Sequence, residues 1–187
     1  MTLLTAEEFE SQRFEFPEGG RWCELIEGTV IQYAPPEEIH GNYVLNLSKQ
    51  LAHFRHHSDW RGACCFELGI LAGRNPDSVL VPAISFFPDA GPFELSDEFL
   101  TERCPALVIE VISTRDRERK LNEKLTYYFE RGVQTVWILG GTDKSGRELT
   151  ARDGAVKSSR TNVFHSPILP DLELNVSELL SAPEWWS

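Results

Sequence analysis

Two nearly unbroken apolar runs, "PALVIEVIS" at 105–113 and "QTVWILGG" at 134–141, constrain this chain most. Neither alternates with polar residues, so each reads as a strand covered on both faces. Between them Leu121, Leu125, Tyr128 and Phe129 recur at helical spacing. Ser113–Asp116 supplies cap residues at the start of this segment and Gly132 a stop at its end. A strand, a helix and a strand in that order need a crossover connection, which favours parallel pairing. The expected class is therefore α/β, with a mixed central β-sheet flanked by helices.

The other segments fit round that unit. Thr5-Ala-Glu-Glu8 predicts a capping box and a short helix. Trp22–Ile26 and Thr29–Tyr33 predict a hairpin with Glu27-Gly28 at its tip. From Glu38 to His56 the spacing of Val44, Leu47, Leu51 and Phe54 predicts a helix. Two long strands are expected at 64–73 and 78–87, turning through "RNPD". The segment 148–154 reads as an edge strand, and "LPDLELNVSELLSAPEWW" as a terminal helix with two aromatic anchors. At 187 residues, with no repeat or linker, the chain is expected to form one domain over 1–187.

Three side chains stand out on chemical grounds. Glu110 lies in the middle of an apolar strand, where an ionised carboxylate costs several kcal/mol unless paired, hydrogen-bonded or bound to metal. A structural ion pair or an escape to solvent at the strand end would equally account for it. Lys124, next to Leu125 and one turn before Tyr128, can approach that carboxylate if the crossover helix packs on its own sheet; snorkelling to water is the ordinary alternative. Glu67 and Ala83 are equidistant from Asn75, so a hairpin turning there places them opposite each other. A slip of one residue removes that alignment, and leaves Glu67 as an exposed carboxylate on an edge strand.

"ELIEGTVIQYAPPEEIHGNYVLNLSKQL" (24–51), "PALVIEVIS" (105–113), "NEKLTYYFERGVQTVWIL" (122–139) and "PILPDLELNVSELL" (167–180) together resemble a bacterial family of putative restriction endonucleases. That family belongs to the PD-(D/E)XK nuclease superfamily, and the likeness implies a restriction-endonuclease-like core. In the superfamily an Asp after Pro and a Glu on the next core strand hold Mg²⁺ (or Mn²⁺), while a Lys orients the attacking water. The resemblance assigns the Glu to Glu110 and the Lys to Lys124, moved from strand to helix as in the family. His40 and Glu24 match positions often seen there. The Pro-Asp position reads Pro82-Ala83, and the frequent Asp after Trp-hydrophobic-Val is replaced by Gly140-Gly141.

The resemblance implies that Ala83 lacks the metal-binding carboxylate expected there. Asp77 and Asp89 each lie six residues away, about 20 Å along an extended strand, too far to replace it. Glu67 could fill the gap if the hairpin register holds. The compensated site would be Glu67, Glu110 and Lys124, with His40 nearby and the metal on Glu110 and Glu67.

The net charge of -11 repels nucleic acid overall, so binding would need local positive charge or metal ions. The N-terminus "MTLLTAEEFE" lacks a basic start and a long apolar stretch, so no signal peptide is expected. No membrane span is expected either, which places the chain in the cytoplasm. Cys23, Cys64, Cys65 and Cys104 form no CxxC pair and read as buried free thiols, with Cys64 and Cys65 on opposite faces of a strand. The expected function is that of a Mg²⁺-dependent endonuclease acting on nucleic acid, with catalysis impaired or lost through Ala83. The alternative is an inactive nuclease-fold binding or assembly module, such as a homodimer.

Overall fold

The computed structural model describes residues 3–58, 60–91, 94–95 and 97–183. The chain opens with helix α1 (Ala6–Gln12), capped reciprocally by Thr5 and Glu8. Strands β1 (Cys23–Ile26) and β2 (Thr29–Gln32) follow as an antiparallel hairpin. Glu27 and Gly28 between them have φ of 47° and 73°, the two left-handed residues that a tight hairpin turn uses. Helix α2 (Glu38–His57) comes next, and then β3 (Ala63–Phe66), β4 (Gly69–Gly73), β5 (Ser78–Leu80), β6 (Ile84–Phe87) and β7 (Leu100–Thr101). The crossover unit is β8 (Leu107–Ile112), α3 (Arg115–Arg131) and β9 (Thr135–Gly140). Strands β10 (Ser145–Arg152), β11 (Ala155–Thr161), β12 (Val163–His165) and β13 (Glu173–Asn175) precede the short α4 (Val176–Leu179).

A six-stranded mixed sheet, ordered β11-β10-β9-β8-β6-β3, forms the centre. β8 and β9 run parallel, as the crossover requires, and β6 and β10 flank them antiparallel. The two faces of β8 serve different helices. Ile109 and Val111 pack with Tyr43, Leu47 and Leu51 of α2, whereas Val108 and Ile112 pack with Leu121 and Tyr128 of α3. Alternation along the strand therefore turns Glu110 toward α3. That helix is capped at Thr114 and stopped by Gly132 at φ 103°, as its sequence predicts. A second sheet, ordered β2-β1-β5-β4-β7, lies beside the first.

The long hairpin at 64–87 departs from expectation. Its register holds, with Cys64 opposite Phe86 and Ile70 opposite Leu80. Each predicted strand nevertheless breaks in two: β3 and β6 belong to the six-stranded sheet, β4 and β5 to the five-stranded one. The chain changes sheets at Glu67, whose φ is 51°, and across Val81–Ala83. Pro82, with no N–H to donate, suits such a break better than a ladder.

Other expectations need correction. The segment 148–154 is not an edge strand: most of it belongs to β10, which β9 and β11 border on either side. The exposed β11 is the edge, and Asp153-Gly154 is the turn that leads into it. The predicted terminal helix is instead β13 with the single turn of α4, and its expected anchors Trp185 and Trp186 lie outside the described residues. All four cysteines are free, but only Cys23 is buried and Cys104 is exposed. Cys64 and Cys65 do face opposite ways, packing against separate apolar clusters.

Candidate active-site cleft

Glu24, Glu110 and Lys124 meet where the two sheets adjoin. β1 sends Cys23 and Leu25 toward α1, so Glu24 and Ile26 face α3 by alternation. Glu110 points there from β8, and Lys124 reaches back from the third turn of α3. Lys124 Nζ lies 2.6 Å from Glu110 Oε1 and 2.8 Å from Glu24 Oε1. All three side chains are buried. Burial opposes the ammonium, but Glu110 and Glu24 outweigh it, and the Lys124 pKa is raised.

Three of the four carboxylate oxygens are engaged. Glu110 Oε1 also accepts from the Tyr128 hydroxyl at 2.5 Å. Glu24 Oε2 accepts from the Tyr33 hydroxyl and Glu24 Oε1 from the Val81 N–H, both at 2.8 Å. The last bond satisfies an amide freed where the strand breaks, so Glu24 stitches the sheet change as well as pairing with Lys124. Burial and then the neighbouring carboxylates push the Tyr128 hydroxyl well above its ordinary pKa, so it stays a donor.

A narrow cleft opens beside this network, lined by Glu24, Glu110, Glu67, His40, Ala83 and Arg117 among others. The Glu67 N–H bonds to the Ala83 carbonyl at 3.3 Å, so the expected juxtaposition of these residues is present. The Glu67 carboxylate itself is partly exposed and lies 3.8 Å from Arg21 Nε, on the cleft rim. His40, in the first turn of α2, has Nδ1 3.3 Å from the Ser113 hydroxyl. Burial and then the Arg117 charge bring its pKa down to about 4, so the ring is neutral at pH 7.

The residues present fall short of a divalent-ion site. Among the described residues, no three acidic, histidine or cysteine side chains converge to hold a metal. Ala83 offers no donor, Glu24 is committed to Lys124, Tyr33 and Val81, and an ammonium already stands between the two buried carboxylates. Gly140, where the resemblance would place a further Asp, has φ 99°, and a Cβ there would lie 2.4 Å from the Ile112 carbonyl oxygen. This backbone therefore excludes a side chain at that position. Asp77 is used elsewhere, accepting from the Ala6 N–H at 2.8 Å and pairing with Arg74 at 2.9 Å.

Two participants were hard to find from the sequence. Glu24 carried only a positional likeness to family members, because a carboxylate in a short hairpin strand looks solvent-facing until α3 covers it. Arg117 sits in the charged run "RDRERK", where nothing in the sequence sets its guanidinium apart from those of Arg115 and Arg119.

Residues 6–179 match the family described as Uma2, putative restriction endonuclease. The fold is similar to the crystal structure of a putative nuclease belonging to DUF820 from Anabaena variabilis, with a TM-score of 0.73 and 20% identity. That likeness covers 95% of this chain and 97% of the other. No curated protein matches the chain. No helix among the described residues is long and apolar enough to cross a membrane.

Proposed function

The chain belongs to the Uma2 family of putative restriction endonucleases, and on that premise we propose that it is a nuclease-fold protein whose cleft binds nucleic acid but has lost efficient phosphodiester hydrolysis. One observation carries this reading. The Lys124 ammonium pairs with both buried carboxylates, at 2.6 and 2.8 Å, while Ala83 stands where a metal-binding Asp is expected. Two anionic side chains sharing one internal cation have little remaining pull on Mg²⁺, an ion that gives up its water reluctantly. The fold tolerates the change well, because an Ala at the sheet break carries no desolvation cost.

The test is a calorimetric titration with Mn²⁺ and a plasmid-cleavage assay in Mg²⁺ or Mn²⁺, on the wild type and on Ala83→Asp. The expected result is no saturable Mn²⁺ binding at millimolar concentration and no cleavage by the wild type. Ala83→Asp should gain metal binding. Wild-type cleavage abolished by Glu110→Gln and by Lys124→Met would overturn the loss of catalysis and leave an active endonuclease.

A second reading has Glu67 behind it, since that carboxylate lines the same cleft. Released from Arg21, Glu67 would join Glu110 as the pair of metal donors, with Mg²⁺ supplying Lewis-acid chemistry at the phosphate. Mn²⁺ binding by the wild type that disappears in Glu67→Ala would favour it.

A further inference from the structure

The C-terminal end of α2 carries His53, His56 and His57, all exposed. A helix C-terminus suits basic side chains, but that preference does not account for how these rings are arranged. His53 and His57 lie one turn apart on the same helix face, with ring centroids 4.3 Å apart and 36° between the planes. Two imidazoles side by side on one ion, each bound through nitrogen at about 2.1 Å, put their centroids about 4.5–5 Å apart. The observed pair is within a small torsional adjustment of that arrangement. His57 Nδ1 lies 2.8 Å from the His53 carbonyl oxygen. A carbonyl only accepts, so Nδ1 carries the proton and, in the neutral ring, Nε2 keeps its lone pair. Metal-binding histidines are fixed by this kind of bond, made from the nitrogen that does not hold the metal. The His56 ring meets His57 edge-on at 4.9 Å and restricts it further.

We infer that His53 and His57 form a two-histidine site for a late first-row divalent cation, Cu²⁺, Ni²⁺ or Zn²⁺, on the surface of α2. Nε2 of His57 and one ring nitrogen of His53 are the protein donors. Among the described residues no third acidic, histidine or cysteine side chain converges on them, so solvent water fills the other positions. Imidazole nitrogen selects these ions, whereas Mg²⁺ takes oxygen. The site therefore differs in chemistry from the carboxylate cleft. It also stands apart from it, because His53 is about 20 Å further along the helix than His40, which lines the cleft. Mn²⁺ lies at the weak end of the affinity order for such donors, so the Mn²⁺ titration that tests the cleft scarcely touches this pair.

The experiment titrates the full chain, free of any affinity tag, with Zn²⁺ by calorimetry and with Cu²⁺ by electron paramagnetic resonance. Wild type is compared with His53→Ala, His57→Ala and His56→Ala, all at exposed positions where Ala suits a helix. Wild type should take up one Zn²⁺ per chain. Affinity should fall about tenfold or more in His53→Ala and in His57→Ala. It should fall far less in His56→Ala, whose ring only packs against the edge of His57. The Cu²⁺ spectrum should show two coupled nitrogens in wild type and one in each of the first two variants. No saturable Zn²⁺ binding by wild type at millimolar concentration overturns the assignment. So does equal affinity in wild type, His53→Ala and His57→Ala, which would place the ion elsewhere. A loss confined to one of those two variants overturns the pair as well, leaving a single-histidine contact.

Discussion

Lys124 Nζ and Glu110 Oε1 lie 2.6 Å apart in the interior, joining the crossover helix to the strand that precedes it. Glu24 receives the same ammonium at 2.8 Å from a different sheet, so one cation ties three elements together. Removing it leaves two buried carboxylates facing each other with no counter-charge. Lys124→Met is expected to cost about 3–5 kcal/mol in urea unfolding at pH 7. Adding Glu110→Gln should recover part of that loss, because one of the stranded charges disappears. Wild-type stability in the single variant would mean the pair contributes nothing.

His40 gives the fold a pH dependence of known sign. Its pKa falls from 6.5 to about 4 on folding, mainly through burial. The unfolded chain therefore binds the proton more readily between those values. The stability associated with the neutral ring is fully present above pH 6.5 and is lost as pH falls toward 4. The loss is at most about 3 kcal/mol. His40→Gln should lose less stability than the wild type between pH 7 and pH 4, a difference that paired urea titrations read directly. Parallel curves for the two proteins would refute it.

Gly140 is required by geometry. Gly140→Ala must place a Cβ 2.4 Å from the Ile112 carbonyl oxygen at a φ of 99°. A destabilisation of at least about 2 kcal/mol is expected, from left-handed strain and displacement of the C-terminal end of the β8–β9 pair together. Thermal unfolding checks it, and an unchanged midpoint would contradict the close approach.

Asp77 separates architecture from cleft chemistry. Asp77→Ala removes the bond to the Ala6 N–H and one carboxylate partner of Arg74, which keeps Glu7 and Glu102. A loss of about 1–3 kcal/mol is expected. Oligonucleotide affinity should stay unchanged, because Asp77 lies in the turn before β5 and does not line the cleft. Altered affinity in a folded variant would assign Asp77 a part in the site.

Local patterns made much of this fold legible. The apolar runs of β8 and β9, the caps of α3 and the Glu27-Gly28 tip all act over a few residues, and each formed where its pattern placed it. Errors arose where sequence-distant partners decide. Strands β3 to β6 read as one hairpin because their register is continuous, yet the sheet changes at Glu67 and Val81–Ala83, where Glu24 captures the freed amide. The edge strand β11 carries little sequence signal although Asp153-Gly154 marks its turn, since its sequence, "AVKSSRT", has little apolar alternation.

The same division runs through the site. Sequence alone determined that a carboxylate lies inside a buried strand and that a lysine follows on the crossover helix. Those statements depend on spacing along the chain. Only the tertiary structure decided that Glu24, not Glu67, shares the ammonium, and that the Arg117 guanidinium is held against the Tyr33 and Trp22 rings. Burial and pairing of a charge depend on which distant segments close over it, and Glu24 and Arg117 gain their surroundings only when β1, β8 and α3 are packed together.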